Sequence, residues 1–205
     1  MIINLVELCS KHNLKINGVV HVGAHFGEEQ TIYKSLGVDN IIYFEPVKKT
    51  FDEMVKRVGE GNAVFYNCAL GNDNKDVEMF IEALDRWGCS SILNPSTNYA
   101  PNIFSHKEIV KMNKLDDFKF GNVNFLNIDV QGYELEVLKG GKDLLNHIDF
   151  IQIELNRKIP EKQLDYIGSS TVDEVTEFLD GYGFKLVEVN WAGVSWGDGF
   201  YVKQK

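Results

Sequence analysis

Short β-branched and aromatic runs alternate along the chain with segments of helical periodicity, at intervals that suit an α/β domain. The runs are Gly18 to Val22, Asn40 to Phe44, Ala63 to Cys68, Val123 to Ile128, Asp149 to Glu154, Phe184 to Val189 and Gly199 to Lys203. The pattern predicts helices over Gly27 to Leu36, Val47 to Val58, Tyr133 to Leu145 and Thr171 to Leu179. In the third of these, Tyr133, Val137 and Leu144 beside Leu138 and Leu145 form an apolar stripe, with Glu134, Glu136 and Lys139 facing outward. The stretch Ile2 to Leu8, broken by Asn4 and Glu7, reads as a short amphipathic helix rather than a cleaved leader. Strands that are nearly continuous apolar runs belong inside a parallel sheet covered by helices on both faces. A ligand then sits outside their carboxyl ends.

The rhythm breaks over residues 70–117, a stretch rich in Asn and Ser that holds Pro95 and Pro101 and two short candidate strands, Val77 to Ile81 and Glu108 to Met112. An insertion of this length is expected to be a lid over an acceptor site. No linker, repeat or low-complexity tract divides the 205 residues, so one domain is expected.

Composition narrows the partners. Hydrophobic residues at 44% and charged residues at 25% are globular values, which excludes a disordered, collagenous or coiled-coil chain. A net charge of −9 argues against nucleic acid and against an anionic membrane surface, because both need a surplus of Lys and Arg. No segment approaches the roughly 20 apolar residues that span a bilayer, so no membrane insertion is expected. Cys9, Cys68 and Cys89 are odd in number and lack a C-x-x-C spacing. They read as free thiols in a reducing compartment, and the expected location is cytoplasmic.

The first strand ends in Val22-Gly23-Ala24-His25-Phe26-Gly27-Glu28-Glu29. Its glycines permit a tight turn and a close backbone approach to a ligand. A dinucleotide site would want glycine at His25, and carboxylates at Glu28 and Glu29 repel a pyrophosphate, which disfavours NAD and ATP. Glu45, 18 residues after Gly27 at the tip of the next strand, can accept hydrogen bonds from both hydroxyls of a ribose. Pro46 then stops strand pairing. A ribose-reading carboxylate, a glycine turn and no phosphate site together describe a pocket for a cationic nucleoside, and S-adenosylmethionine fits that description.

These segments resemble the FkbM-type class I methyltransferases. The resemblance runs on through Tyr43-Phe44-Glu45-Pro46, Asn67-Cys68-Ala69-Leu70-Gly71, Cys89-Ser90-Ser91-Ile92-Leu93, Lys114-Leu115-Asp116-Asp117-Phe118 and the block from Phe125 to Gly140. It implies a Rossmann-like, mostly parallel seven-stranded sheet whose last strand is antiparallel, with S-adenosylmethionine as donor and a hydroxyl acceptor, most often on a sugar or polyketide. It also implies that Gly23, Ala24, His25 and Gly27 form the methionine-side loop, that Glu45 and Pro46 clamp the ribose, and that Cys68, Ala69 and Leu70 edge the adenine. Many members carry Lys and Glu where this chain has Asn127 and Gln131; Asp129 and Gly132 are in place. The expected partners are a sugar or glycan acceptor and linked glycosyltransferase domains or enzymes.

Methyl transfer needs an aligned acceptor oxygen and somewhere for its proton to go. Asp129, at the end of the fourth run, is the leading candidate for orienter or general base, or for holding the donor's amino group. Glu154 and Asn156 end the fifth run and would present oxygen and amide groups to a sugar, or to a divalent cation; no set of metal ligands is assigned. His25 is an alternative base, while His21, within a strand, is expected to pack or to orient a neighbour. Trp87, Trp191, Trp196, Tyr99 and Tyr166 can stack on sugar rings or anchor loops. Asp198, in the closing strand, is a further acceptor contact. Ser90 and Ser91 lack a G-x-S-x-G context, which disfavours a serine hydrolase. Transfer to a non-sugar small molecule and a nucleoside- or glycan-binding module without turnover stay open as alternatives.

Overall fold

β1 (Gly18–Val22) is buried along its whole length, as a strand with helices on both sides must be. It pairs in parallel with β2 (Asn40–Phe44) on one side and β7 (Phe125–Ile128) on the other. β3 (Val64–Tyr66) continues the sheet beyond β2, and β8 (Phe150–Asn156) continues it beyond β7, all in parallel. β10 (Trp196–Lys203) then inserts antiparallel between β8 and β9 (Phe184–Trp191). The order is β3-β2-β1-β7-β8-β10-β9, the mostly parallel seven-stranded sheet with a final antiparallel strand that was expected. The computed structural model describes residues 2–59, 61–83, 88–97, 103–160 and 162–204.

Alternation along each strand divides the core in two. Val20, Val22, Leu126, Ile128, Ile151, Ile153 and Leu155 point to the face covered by α4 (Glu134–Lys139) and α5 (Val172–Asp180), where Val137, Leu138, Val175 and Leu179 meet them. Val19, Ile41, Phe125, Phe150 and Phe200 point to the other face, covered by α1 (Leu5–His12), α2 (Gln30–Ser35) and α3 (Lys48–Val58). Each fully buried aliphatic side chain contributes about 1.5–3 kcal/mol. The helix ends are chemically marked: Asn4 accepts from the Glu7 N–H at the start of α1, and Thr171 and Glu174 form a reciprocal capping box on α5.

On the second face the register lines up a buried polar row, Tyr43, His21, Asn127 and Gln152, across β2, β1, β7 and β8. Asn127 Nδ2 donates to the Tyr33 hydroxyl at 2.7 Å, which leaves that hydroxyl to donate to His21 Nδ1 at 3.2 Å. Burial pulls His21 down to about 4, so the ring is neutral and carries its proton on Nε2. His21 therefore orients a neighbour, as expected.

Residues 70–117 build a second sheet. β4 (Ala69–Leu70) pairs in parallel with β6 (Phe104–Asn113), which pairs antiparallel with β5 (Lys75–Glu82). The two expected strands are both longer than their apolar cores, because the antiparallel ladder carries alternating charged residues such as Lys107 opposite Phe80 and Lys111 opposite Asp76.

Three expectations are corrected. The helix predicted from Tyr133 to Leu145 stops at Lys139, where Gly140 packs so closely that a Cβ there would lie 2.0 Å from the Gly71 carbonyl oxygen; a separate 3-10 turn follows at Leu144–Asn146. Glu134 does not face outward. It is fully buried, because its carboxylate accepts the Val130 and Gly132 N–H groups at 3.2 and 2.9 Å. Helical periodicity placed it outside, but it serves the turn before the helix. The predicted start of α2 at Gly27 also moves to Gln30, since Gly27 has φ +72° and closes the preceding turn.

Candidate active site

The carboxyl ends of β1, β2 and β7 meet at a cleft floored by Gly23. Its N–H and that of Ala24 both donate to the Phe44 carbonyl at 3.0 Å, while Asp129 N–H donates to the Val22 carbonyl. Gly23 has φ +76°, and a Cβ there would fall 1.8 Å from the Asp129 carbonyl oxygen. Only glycine lets the two strand ends approach this closely.

Glu45, at the tip of β2, is buried. Its Oε2 accepts the His25 N–H at 3.0 Å and its Oε1 accepts the Val47 N–H at 2.9 Å. Asn67 steadies the same tip by donating to the Glu45 and Pro46 carbonyls, both at 2.9 Å. Gly23, His25, Glu45, Pro46, Cys68, Ala69, Leu70 and Asp129 all line the cleft. Ala24 and Gly27 do not: Ala24 packs into the core beneath, and Gly27 lies against Met54 and Val58. Val47, Met79, Ile92, Val130 and Tyr133 complete its apolar walls. These residues went unnoticed in the sequence because apolar side chains in loops and the insertion carry no chemical signature.

His25 sits at φ +47°, and its Nδ1 lies 2.9 Å from Glu28 Oε1. Glu28 also accepts the Phe26 N–H at 3.1 Å, so this carboxylate ties the loop rather than facing the cleft.

A second cavity of about 330 Å³ opens beside the first and shares Asp129 with it. Alternation along β8 explains its chemistry. Ile153 and Leu155 enter the core, while Glu154 and Asn156 point to the opposite face, where β10 places Asp198 and Trp196 directly across from them. The cavity gathers Asp129, Glu154, Asn156, Tyr166, Trp196 and Asp198. Trp191 is elsewhere, packed against the core with the Arg157 guanidinium 4.3 Å over its ring. Trp87 and Tyr99 lie outside the described residues.

Gln131 was not anticipated as a site residue. Its Nε2 donates to Asp129 Oδ1 at 2.7 Å and to Glu154 Oε2 at 3.0 Å, so one amide bridges both carboxylates. Its backbone is left-handed, with φ +57°, which turns the side chain back over the strand ends. The Tyr166 hydroxyl donates to the Cys89 carbonyl and lies 3.3 Å from Gln131 Oε1. The one signal in the sequence was the amide at a position where the family often has an acid.

Burial raises Glu154 well above the usual carboxylate range, and the neighbouring Asp129, Glu134 and Asp198 add to this. Burial raises Asp129 as well, partly offset by the N-terminal ammonium and then by the Gln131 amide. Among the described residues no group of three or more His, Cys, Asp and Glu side chains is arranged to hold a metal ion. The Gln131 amide occupies the space between the two carboxylates that a divalent cation would use, so these residues do not fit one. Cys9, Cys68 and Cys89 are buried free thiols.

A model of the methyltransferase FkbM domain matches residues 21–186. The chain belongs to this family. Over 145 residues, 70% of this chain and 57% of the other, the FkbM domain is 23% identical to the hexuronic acid methyltransferase AglP of Haloferax volcanii. The chain thus spans little more than half the length of that relative. Its fold matches the methyltransferase FkbM of Methylobacillus flagellatus KT with a TM-score of 0.61 at 15% identity, covering 91% of this chain and 43% of that one. It also matches the magnesium protoporphyrin IX methyltransferase ChlM of Synechocystis PCC 6803, solved with bound SAH, with a TM-score of 0.58 at 10% identity over 98% and 80% of the two chains. No described helix is long and apolar enough to cross a membrane.

Proposed function

We propose that this FkbM methyltransferase moves the methyl group of S-adenosylmethionine to a hydroxyl oxygen of a sugar in a glycan or glycoconjugate. The observation that carries this reading is one carboxylate, Asp129, lining both the cleft at the ends of β1, β2 and β7 and a polar cavity beside it. The residues of the cleft support the donor: the Glu45 carboxylate lines it as an acceptor for ribose hydroxyls, Leu70 and Ile92 offer apolar faces to a base, and among its described lining residues none is Lys or Arg.

When bound, the donor supplies an electrophilic methyl on a sulfonium; the acceptor oxygen bonds to it as the C–S bond breaks, leaving the electron pair on neutral S-adenosylhomocysteine. Asp129, ionised, takes the hydroxyl proton. Burial raises its basicity above that of an ordinary aspartate, and Gln131 fixes the orientation of Oδ1. Glu154, Asn156 and the Tyr166 and Trp196 rings hold the acceptor, with the apolar ring faces covering its C–H surfaces. His25 is assigned to the loop that orders Glu45 rather than to proton transfer, because both its backbone N–H and Nδ1 are committed there.

Within this reading residues 70–117 act as a lid, since Met79 and Ile92 wall the donor cleft and Cys89 borders the acceptor cavity. The acceptor comes from glycosyltransferase enzymes or linked domains, and the reaction belongs in the cytoplasm, consistent with the free thiols. The sugar acceptor rests on the carboxylate and amide chemistry of the cavity and on the name of the Haloferax relative.

The test is transfer of label from S-adenosylmethionine to a panel of mono- and oligosaccharides, with Asp129→Asn and Glu45→Ala alongside. Asp129→Asn should lower kcat by about 10²–10⁴-fold, the range for a general base, with S-adenosylhomocysteine still bound. Glu45→Ala should weaken donor binding. Undiminished transfer in Asp129→Asn would reject its role, and donor affinity unchanged in Glu45→Ala would remove the ribose assignment.

A further inference from the structure

The acceptor cavity has an unusual charge balance. Asp129, Glu154, Asp165 and Asp198 line it, and among its described lining residues none is Lys, Arg or His. Glu154 and Asp198 are direct cross-strand partners on β8 and β10, an arrangement that is repulsive when both are ionised. These acids are offset by the N-terminal ammonium, which acts on Asp129, by the Gln131 amide between Asp129 and Glu154, and by the Ile2 and Ile3 N–H groups, which donate to Asp198 Oδ2 at 2.5 and 3.2 Å. A second, independent feature points to a ligand. Asn156 is only 3% exposed, lines the same cavity, and its Nδ2 has no hydrogen-bond partner among the described residues. A buried amide donor of this kind requires an acceptor oxygen.

We infer that the acceptor is a polyol carrying an ammonium group, an amino sugar or aminated cyclitol, and that the cavity rejects uronic acids. The ammonium sits at the Glu154 and Asp198 end, where two cross-strand carboxylates face it. A hydroxyl or ring oxygen of the same molecule accepts from Asn156. The reacting hydroxyl lies at the Asp129 end, which keeps the cation away from the donor's sulfonium. Trp196, across from Asn156, offers its ring to the sugar or to the cation. A hexuronic acid, the compound in the name of the Haloferax relative, would bring a fifth carboxylate against four. Kinship at 23% identity therefore carries the transferred group but not the charge of the acceptor.

This inference rests on the proposed methyl transfer, so binding and turnover are measured separately. Methyl glycosides of glucosamine, glucose and glucuronic acid differ at one ring substituent and are compared at pH 7. Each is titrated into the protein with and without S-adenosylhomocysteine, then assayed with labelled donor. The aminated glycoside should bind about tenfold or more tightly than the neutral one, and the uronate should bind weakest, as charge complementarity requires. Glu154→Gln, which keeps shape and hydrogen bonding, should shrink the amine preference several-fold while S-adenosylhomocysteine binding stays unchanged. Equal or tighter binding of glucose or glucuronate, no measurable binding of the amine, or an amine preference undiminished in Glu154→Gln would each overturn the inference. The predicted binding order without label transfer would count against the hydroxyl-methylation reading and support the charge selection.

Discussion

Gly23 and Glu154 show how single residues set the site's limits. Gly23 combines a left-handed backbone with a gap too small for any Cβ, since the Asp129 carbonyl oxygen stands 1.8 Å from where one would be. Gly23→Ala should therefore force β1 and β7 apart at their ends and cost about 2–4 kcal/mol, with donor binding reduced in the folded fraction. Urea unfolding with parallel titration of S-adenosylhomocysteine measures both, and a variant of unchanged stability would contradict the close approach. Glu154 illustrates the opposite balance, in which function is retained against stability. Burial and three neighbouring acids hold its folded value above its unfolded one. The folded state then takes up a proton that the unfolded state has lost. Stability is full below the ordinary glutamate value of about 4.3 and falls as pH rises through the interval up to the folded value. Glu154→Gln should remove this decline and gain about 1–3 kcal/mol near pH 8. Denaturant melts from pH 4 to 8 check it; wild-type and variant curves that run parallel would refute the raised value.

At the scale of elements, the turn between β7 and α4 carries the chemistry. Val130, Gln131 and Gly132 turn the chain from strand to helix, and the buried Glu134 carboxylate binds the first and last of their N–H groups. Glu134→Ala would leave two buried donors unsatisfied and should cost about 2–4 kcal/mol. It should also lower kcat, because Asp129 and Gln131 ride on that turn. Hydrogen exchange at the Val130 and Gly132 amides is the direct readout, and protection unchanged in the variant would show that Glu134 does not hold the turn. The same segment marks where sequence patterns stop being informative. β1 and β2 match their apolar runs residue for residue, because strands buried on both faces leave an unbroken apolar signal. Glu134 reads as an outward charge by helical spacing. Only its contact with two amides across a tight turn, a feature without periodicity, puts it inside. Likewise the end of α4 at Lys139 depends on Gly140 meeting Gly71 of the insertion, a contact between segments far apart in the chain.

Across the whole molecule, the net charge of −9 becomes a statement about place. Part of the acid lies on the exposed ladder of β5 and β6, where Glu78 and Asp76 pair with Lys107 and Lys111. Another part converges at the carboxyl ends of β7, β8 and β10, where Asp129, Glu154 and Asp198 share one cavity. Donor binding should couple to global stability, because the cleft joins both sheets. S-adenosylhomocysteine at about 100 times its Kd should add about 2.7 kcal/mol and raise Tm by about 5–10 °C. A thermal scan reads this, and Glu45→Ala should lose most of the shift.

The sequence alone determined the alternation of strands and helices, the glycine turn after β1 and the acid at the tip of β2, because each is written in neighbouring residues as periodicity or conformational freedom. Eight of the ten residues expected around the donor line one cleft for the same reason: strand ends in a parallel sheet share an edge. The tertiary structure decided what strand alternation and cross-strand register must bring together: Asp198 opposite Glu154, Gln131 between two carboxylates, Asn156 facing the cavity with its Nδ2 unpartnered among the described residues, and Trp191 packed elsewhere. Those contacts join residues up to 44 positions apart, from Glu154 to Asp198, and register between distant strands has no local signature in the chain.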